Sequence, residues 1–242
     1  MREDVRLRRL EVQVHYDTSF LWLDTRGALG QAWGYSGRFG RWRLEPEALV
    51  LVGEHETENN FGSFGMRQAS LVTEGGNGWD SAFDFAYRWI DDCMTAVRHM
   101  PIIRRVYMKV VQLQPLKNES ERSKIQSSLV KRFPGIDEFN PDANAALNSG
   151  VSYNSSINSQ YGQRLSTMVI GVMKPEQRAA QLLRELPDDG PVGDFGYMAD
   201  FDQRLECRAE DLKPILTEMR RQARSTDQHI RSRVLIPVIK NA

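Results

Sequence analysis

The residues of this chain best suited to chemistry are acidic. Glu54-His55-Glu56-Thr57-Glu58 is the densest group of potential metal ligands, and in an extended strand Glu54, Glu56 and Glu58 share one face. Asp200 and Asp202 carry the same two-residue spacing. Gathered around one ion, Glu54, Glu56, Asp200 and Asp202 would hold a hard cation such as magnesium and support metal-assisted phosphoester cleavage, the chemistry of a nuclease or phosphoesterase. The competing reading is a solvated strand edge whose charges discourage aggregation. The missing lysine beside the cluster favours that second reading, so no metal and no catalytic residue is expected, and the four-carboxylate set stands as the enzymatic alternative.

A second signal is cationic and almost all arginine. Arg220, Arg224 and Arg231 recur at helical spacing, with Arg221 and Arg233 beside them. Arg38, Arg41 and Arg43 form another group, interleaved with Trp33, Tyr35, Phe39 and Trp42. Arginine among aromatics suits phosphate contact and base stacking. It suits a protein interface equally well. Arg38, Arg41, Trp42, Arg43, Arg220, Arg221, Arg224 and Arg231 are therefore the candidate binding residues. Lys+Arg and Asp+Glu both total 32, and this neutral balance favours a protein partner or a second copy over nucleic acid, which stays possible.

Other chemistries lack their residues. Gly34-x-x-Gly37-x-x-Gly40 and Gly190-x-x-Gly193-x-x-Gly196 lead into extended segments, whereas phosphate-cradling loops open a helix, so these read as turn glycines. Asp194-Phe195-Gly196 has none of the companion motifs of a kinase. His15, His55, His99 and His229 lack zinc spacing, no Gly-x-Ser-x-Gly elbow occurs, and Cys93 and Cys207 have no nearby histidine. No cofactor is implied.

The elements that must position these residues form an α+β pattern. Leu10, Val12, Val14 and Tyr16 alternate with polar residues, giving a first strand. Phe20 to Leu23, Trp42 to Leu44 and Leu49 to Thr57 read as further short strands, punctuated by glycines. Ala82, Phe83, Ala86, Trp89, Ile90, Cys93, Met94 and Val97 mark an amphipathic helix over Asp80 to His99, with Ser81 and Asp84 spaced as a capping box and Pro101 as the stop. Ile102 to Leu113 is a long strand and Ser120 to Phe133 a short helix. Residues 134–160, rich in Asn, Ser, Asp and Gly, read as a long mobile loop. Leu165 to Met173 and Tyr197 to Leu205 are strands around a helix over Glu176 to Leu186, and a last helix runs from Asp211 to Ile230. No internal repeat is visible beyond a loose β-then-helix alternation. The expectation is one α+β domain over residues 1–242, an antiparallel-rich sheet with amphipathic helices packed on it.

Composition agrees: 40% hydrophobic and 26% charged residues suit an ordered globular chain rather than a disordered one. No apolar run is long enough for a membrane span and the first ten residues are charged, so a cytoplasmic protein without membrane partners is expected.

From Val50 onward the layout resembles a sporadically distributed, uncharacterised family of prokaryotic proteins. The likeness rests on Phe61 to Val72, Trp79 opening a helix that contains Trp89, the strand from Arg105 to Gln112, the late strand through Asp200, and the terminal helix. It implies a bacterial or archaeal protein, possible membership of defence-associated gene clusters, and no reaction or catalytic residue. The reading is a non-enzymatic binding or assembly protein that docks a protein partner or self-associates.

Overall fold

A computed structural model of the chain describes residues 6–34, 36–55, 58–75, 78–97, 102–133, 151–159, 161–183, 185 and 189–240. Nine strands form one antiparallel sheet in the order β2-β3-β4-β5-β1-β6-β9-β8-β7. They are β1 (Arg6–Tyr16), β2 (Arg41–Leu44), β3 (Ala48–Glu54), β4 (Glu58–Gly65), β5 (Gln68–Gly75), β6 (Ile103–Pro115), β7 (Val151–Ser159), β8 (Gly162–Met173) and β9 (Asp194–Cys207). The helices are α1 (Trp22–Gly34), α2 (Trp79–Ala96), α3 (Glu119–Arg132), α4 (Pro175–Gln181), α5 (Leu212–Ile230) and α6 (Ile236–Lys240). The class is α+β, as the alternating patterns require.

A repeat absent from the sequence reading emerges from the topology. β1 leads through α1 to an outer meander that returns as β5 beside β1 and continues into α2. β6 does the same through α3, β7, β8 and β9, then α5, with one outer strand fewer. Val12 faces Met108 across the central β1–β6 pair; outward, Val12 faces Leu71 and Met108 faces Phe201. A pseudo-two-fold axis therefore passes between Val12 and Met108. Its sequence trace is brief: Arg8-Arg9-Leu10-x-Val12-x-Val14 against Arg104-Arg105-Val106-x-Met108-x-Val110.

One face of the sheet makes the core. Leu10, Val12 and Val14 on β1, Val106, Met108 and Val110 on β6, and Phe195, Tyr197, Ala199 and Phe201 on β9 are buried with the apolar stripes of α2 and α5. Period two in the strands and 3.6 in the helices bring these residues together. Trp89 of α2 is fully buried and its indole N–H donates to the Ser70 carbonyl at 2.7 Å.

Several local expectations are corrected. The expected Phe20–Leu23 strand gives way to α1, because Gly30 and Gly34 serve packing rather than breaking the chain. A Cβ at Gly34 would stand 2.3 Å from Trp42 Cδ1, so the glycines let α1 sit against Trp42 and Leu49. Ser81 and Asp84 form no capping box: the N-cap is Gly78, and Ser81 Oγ instead accepts from Arg38. Of the expected loop over 134–160, residues 151–159 are β7, an uncharged strand whose many serines and asparagines hid its pairing with β8; residues 134–150 and 160 lie outside the described residues. α4 ends at Gln181 rather than Leu186. The carboxylate of Glu74 captures the Leu183 N–H at 2.8 Å while Leu182 packs on Val111 and Leu113, and both contacts pull the chain off the helix path. After Ile230 the chain continues through a wide π turn, Arg231–Leu235, into α6. Pro237 has no N–H for the Arg233 carbonyl, and Arg132 of α3 donates there instead.

Candidate functional site

The arginine groups come first, because the fold decides how much of their charge is available. Arg41 meets Glu54 at 2.9 Å and Arg43 meets Glu45 at 2.8 Å. Arg220 meets Asp80 at 2.6 Å and Asp84 at 2.8 Å, and Arg224 shares Asp80. Arg221 pairs with Glu218 at 2.8 Å, and Arg231 with Asp227 at 2.8 Å. Arg41, Arg43, Arg220, Arg221, Arg224 and Arg231 thus each have a carboxylate partner. Arg38 lies 5.0 Å from the Phe85 ring centroid and donates to Ser81. Trp42 packs against α1, and Tyr35 lies outside the described residues. Of the two groups, remote in sequence, Arg38 from one and Arg220 and Arg224 from the other meet at the first turns of α2.

The acidic set does not converge. Glu54 sits on β3 and Asp200 and Asp202 on β9, five strand steps apart, or about 24 Å at ~4.8 Å per step. Glu56 lies outside the described residues, and among those described no three His, Cys, Asp or Glu side chains are grouped to hold a metal. Tyr107 Oη donates to Asp200 at 2.6 Å, and Arg105 Nε reaches Asp202 at 2.6 Å.

These partners belong to a polar band on the other face of the sheet, across β5, β1, β6 and β9. Register aligns Glu11, Lys109 and Asp200 in one row and Gln13, Tyr107 and Asp202 in the next. Arg9 bridges Glu11 at 2.7 Å and the fully buried Glu74 at 2.9 Å. Burial raises the pKa of Glu74, opposed by the Leu183 N–H and by Arg9 and Arg8. Burial and the nearby Arg105 lower that of His15. Burial and Asp200 push the Tyr107 phenol up, so it is held as a hydrogen-bond donor rather than poised to lose its proton. Cys93 is raised by full burial, and Cys207 is pushed up to about 11 by burial and Asp211, which keeps both as unreactive thiols.

α4 and its following segment strap this band at one end. Arg178 is buried and meets Asp194 at 2.5 Å, while Arg8 meets Asp189 at 2.9 Å. Between the strap and the sheet lies a trough of about 280 Å³ floored by Leu113, Val169 and Met198 and walled by Gln177 and Gln181. Gly171 and Gly196, partners across β8 and β9, line its bottom. Sequence spacing could not show this trough, since it depends on register between distant strands. A larger cleft of about 730 Å³ lies between α2 and α5, with Asp91, Glu210, Arg208 and Lys213 giving it both signs of charge.

The two sheet edges differ. β2 has four residues, and its Arg41 and Arg43 are ion-paired. β7 has nine, with no charged residue, no proline and no register shift against β8, its one partner among the described residues. Among the described residues, no helix is long and apolar enough to cross a membrane. No protein-family model and no curated protein matches this chain.

Proposed function

We propose that this protein is a non-enzymatic assembly module that joins a second copy of itself by strand pairing along β7, in the prokaryotic cytoplasmic setting that the family resemblance implies. One observation carries the reading: β7 is long and uncharged and pairs on one side only among the described residues, whereas β2 carries the usual protections of shortness and charge. An open edge presents unpaired N–H and C=O groups to another strand. Nine residues extend about 30 Å at ~3.4 Å each. Tyr153, 60% exposed on this strand, supplies an aromatic for cross-strand contact. The formal net charge of zero places no long-range repulsion between copies. Antiparallel pairing of two β7 strands about a two-fold axis would continue the sheet from one protomer into the next.

Size-exclusion chromatography with light scattering tests this. The protein is expected to run as a dimer, and an Asn154→Lys/Ser156→Lys double variant as a monomer with unchanged far-ultraviolet circular dichroism. A wild-type protein that stays monomeric across the concentration range sinks the proposal.

A further inference from the structure

We infer that the trough between α4 and the sheet binds a medium-chain aliphatic carboxylate, its tail over the Gly171–Gly196 pair and its head beside Lys109. This does not rest on assembly through β7.

The floor is apolar because two of three successive cross-strand rows on the strapped face carry no polar side chain. Lys109 and Asp200 form the first, Val111, Met198 and Val169 the second, and Leu113, Gly196 and Gly171 the third. Gly196 is required by the close approach of β6, since a Cβ there would run into the Gln112 carbonyl oxygen, and with Gly171 opposite it the third row has no side chains over the trough. At roughly 30 Å³ per water-sized group, the 280 Å³ trough takes about nine such groups, close to the size of an eight-carbon acid.

The polar wall offers donors. Gln177 and Gln181 stand one turn apart on α4, and both amide oxygens are engaged, Gln177 Oε1 by the Lys174 N–H and Gln181 Oε1 by Lys109 Nζ at 2.7 Å. Their NH₂ groups are left to donate. Lys109 makes no ion pair within 4.0 Å among the described residues. The acids nearest it in register are engaged elsewhere, Glu11 by Arg9 and Gln13 and Asp200 by Tyr107. Two amide donors on the wall, with the Lys109 ammonium behind Gln181 and making no ion pair among the described residues, call for a ligand head that only accepts hydrogen bonds and carries negative charge, which a carboxylate does and an alcohol does not.

Isothermal titration with sodium octanoate and, in parallel, octan-1-ol tests the inference. Wild type is expected to bind octanoate at least tenfold more tightly than the alcohol. Lys109→Met should abolish that preference, and Gly171→Val, which fills the trough, should weaken octanoate at least tenfold. If Gly171→Val fails to fold, the Lys109→Met preference decides alone. No octanoate binding at millimolar concentration, a preference that survives Lys109→Met, or full affinity in folded Gly171→Val each overturns it.

Discussion

Arg220 of α5 places its guanidinium 2.6 Å from Asp80 in the first turn of α2, and Arg224 shares the same carboxylate. Contacts between residues 140 apart in sequence turn what reads as a cationic stripe into a helix–helix clasp. Asp80 also sits where the positive end of the α2 dipole favours an anion. The consequence for function is that the stripe is screened by the protein's own acids.

Removing those acids should therefore release the charge. An Asp80→Asn/Asp84→Asn variant is expected to be retained on heparin at low salt and to elute earlier as salt rises, while wild type is retained less. The arginines hold the Asp80 carboxyl below its usual range, so the clasp's stabilisation is present above the ordinary aspartate pKa and lost as pH falls through the lowered folded value. Equal retention of variant and wild type would show that the arginines stay sequestered without their partners.

Two glycines of one helix should respond in opposite directions to alanine. A Cβ at Gly27 meets nothing within 4 Å, so Gly27→Ala gains the helix propensity difference, about 0.8–1 kcal/mol. Gly34→Ala drives a methyl into the Trp42 ring and should cost about 1–3 kcal/mol. Urea midpoints of the two variants check the pair, and a stabilising Gly34→Ala would mean that α1 shifts freely on the sheet.

Those glycines also show which parts of the fold were legible. Strands β1, β6 and β9 and helices α2 and α5 carry their own period, so local spacing reveals them. α1 does not, because its glycines have a meaning only once Trp42 is opposite them. β7 has polar residues throughout, and its partner rather than its sequence makes it a strand. The candidate site is less legible still. Arginine stripes are visible in sequence, but the carboxylates that neutralise them are not, and Gly171 acquires a role only through its register with Gly196.

Trp89 should be the most costly aromatic of the core to replace. It lies 5.5 Å from Trp33 and 6.0 Å from Phe39 in centroid distance, and its N–H fills the Ser70 carbonyl. Trp89→Phe keeps most of the volume but loses that hydrogen bond, for about 0.5–1.5 kcal/mol. Trp89→Ala adds a cavity and should cost about 3–5 kcal/mol. Equilibrium urea unfolding separates the two, and near-equal losses would assign the whole effect to packing.

Glu74 gives the strap a pH dependence of unusual sign for a carboxylate. Burial raises its folded pKa above the ordinary value of 4.5, so between the two values the folded state binds more protons than the unfolded one. Its contribution is then most favourable at the acidic end of that window and declines as pH rises through the folded pKa. Glu74→Gln keeps an acceptor for the Leu183 N–H, removes the titration and loses the Arg9 ion pair. The wild-type advantage in melting temperature over Glu74→Gln should shrink as pH climbs through the window. Asp194 is also raised by burial, but it is common to both proteins and cancels from the difference. A difference that is flat or grows with pH would mean that Arg9 and the Leu183 N–H outweigh desolvation and keep Glu74 ionised throughout.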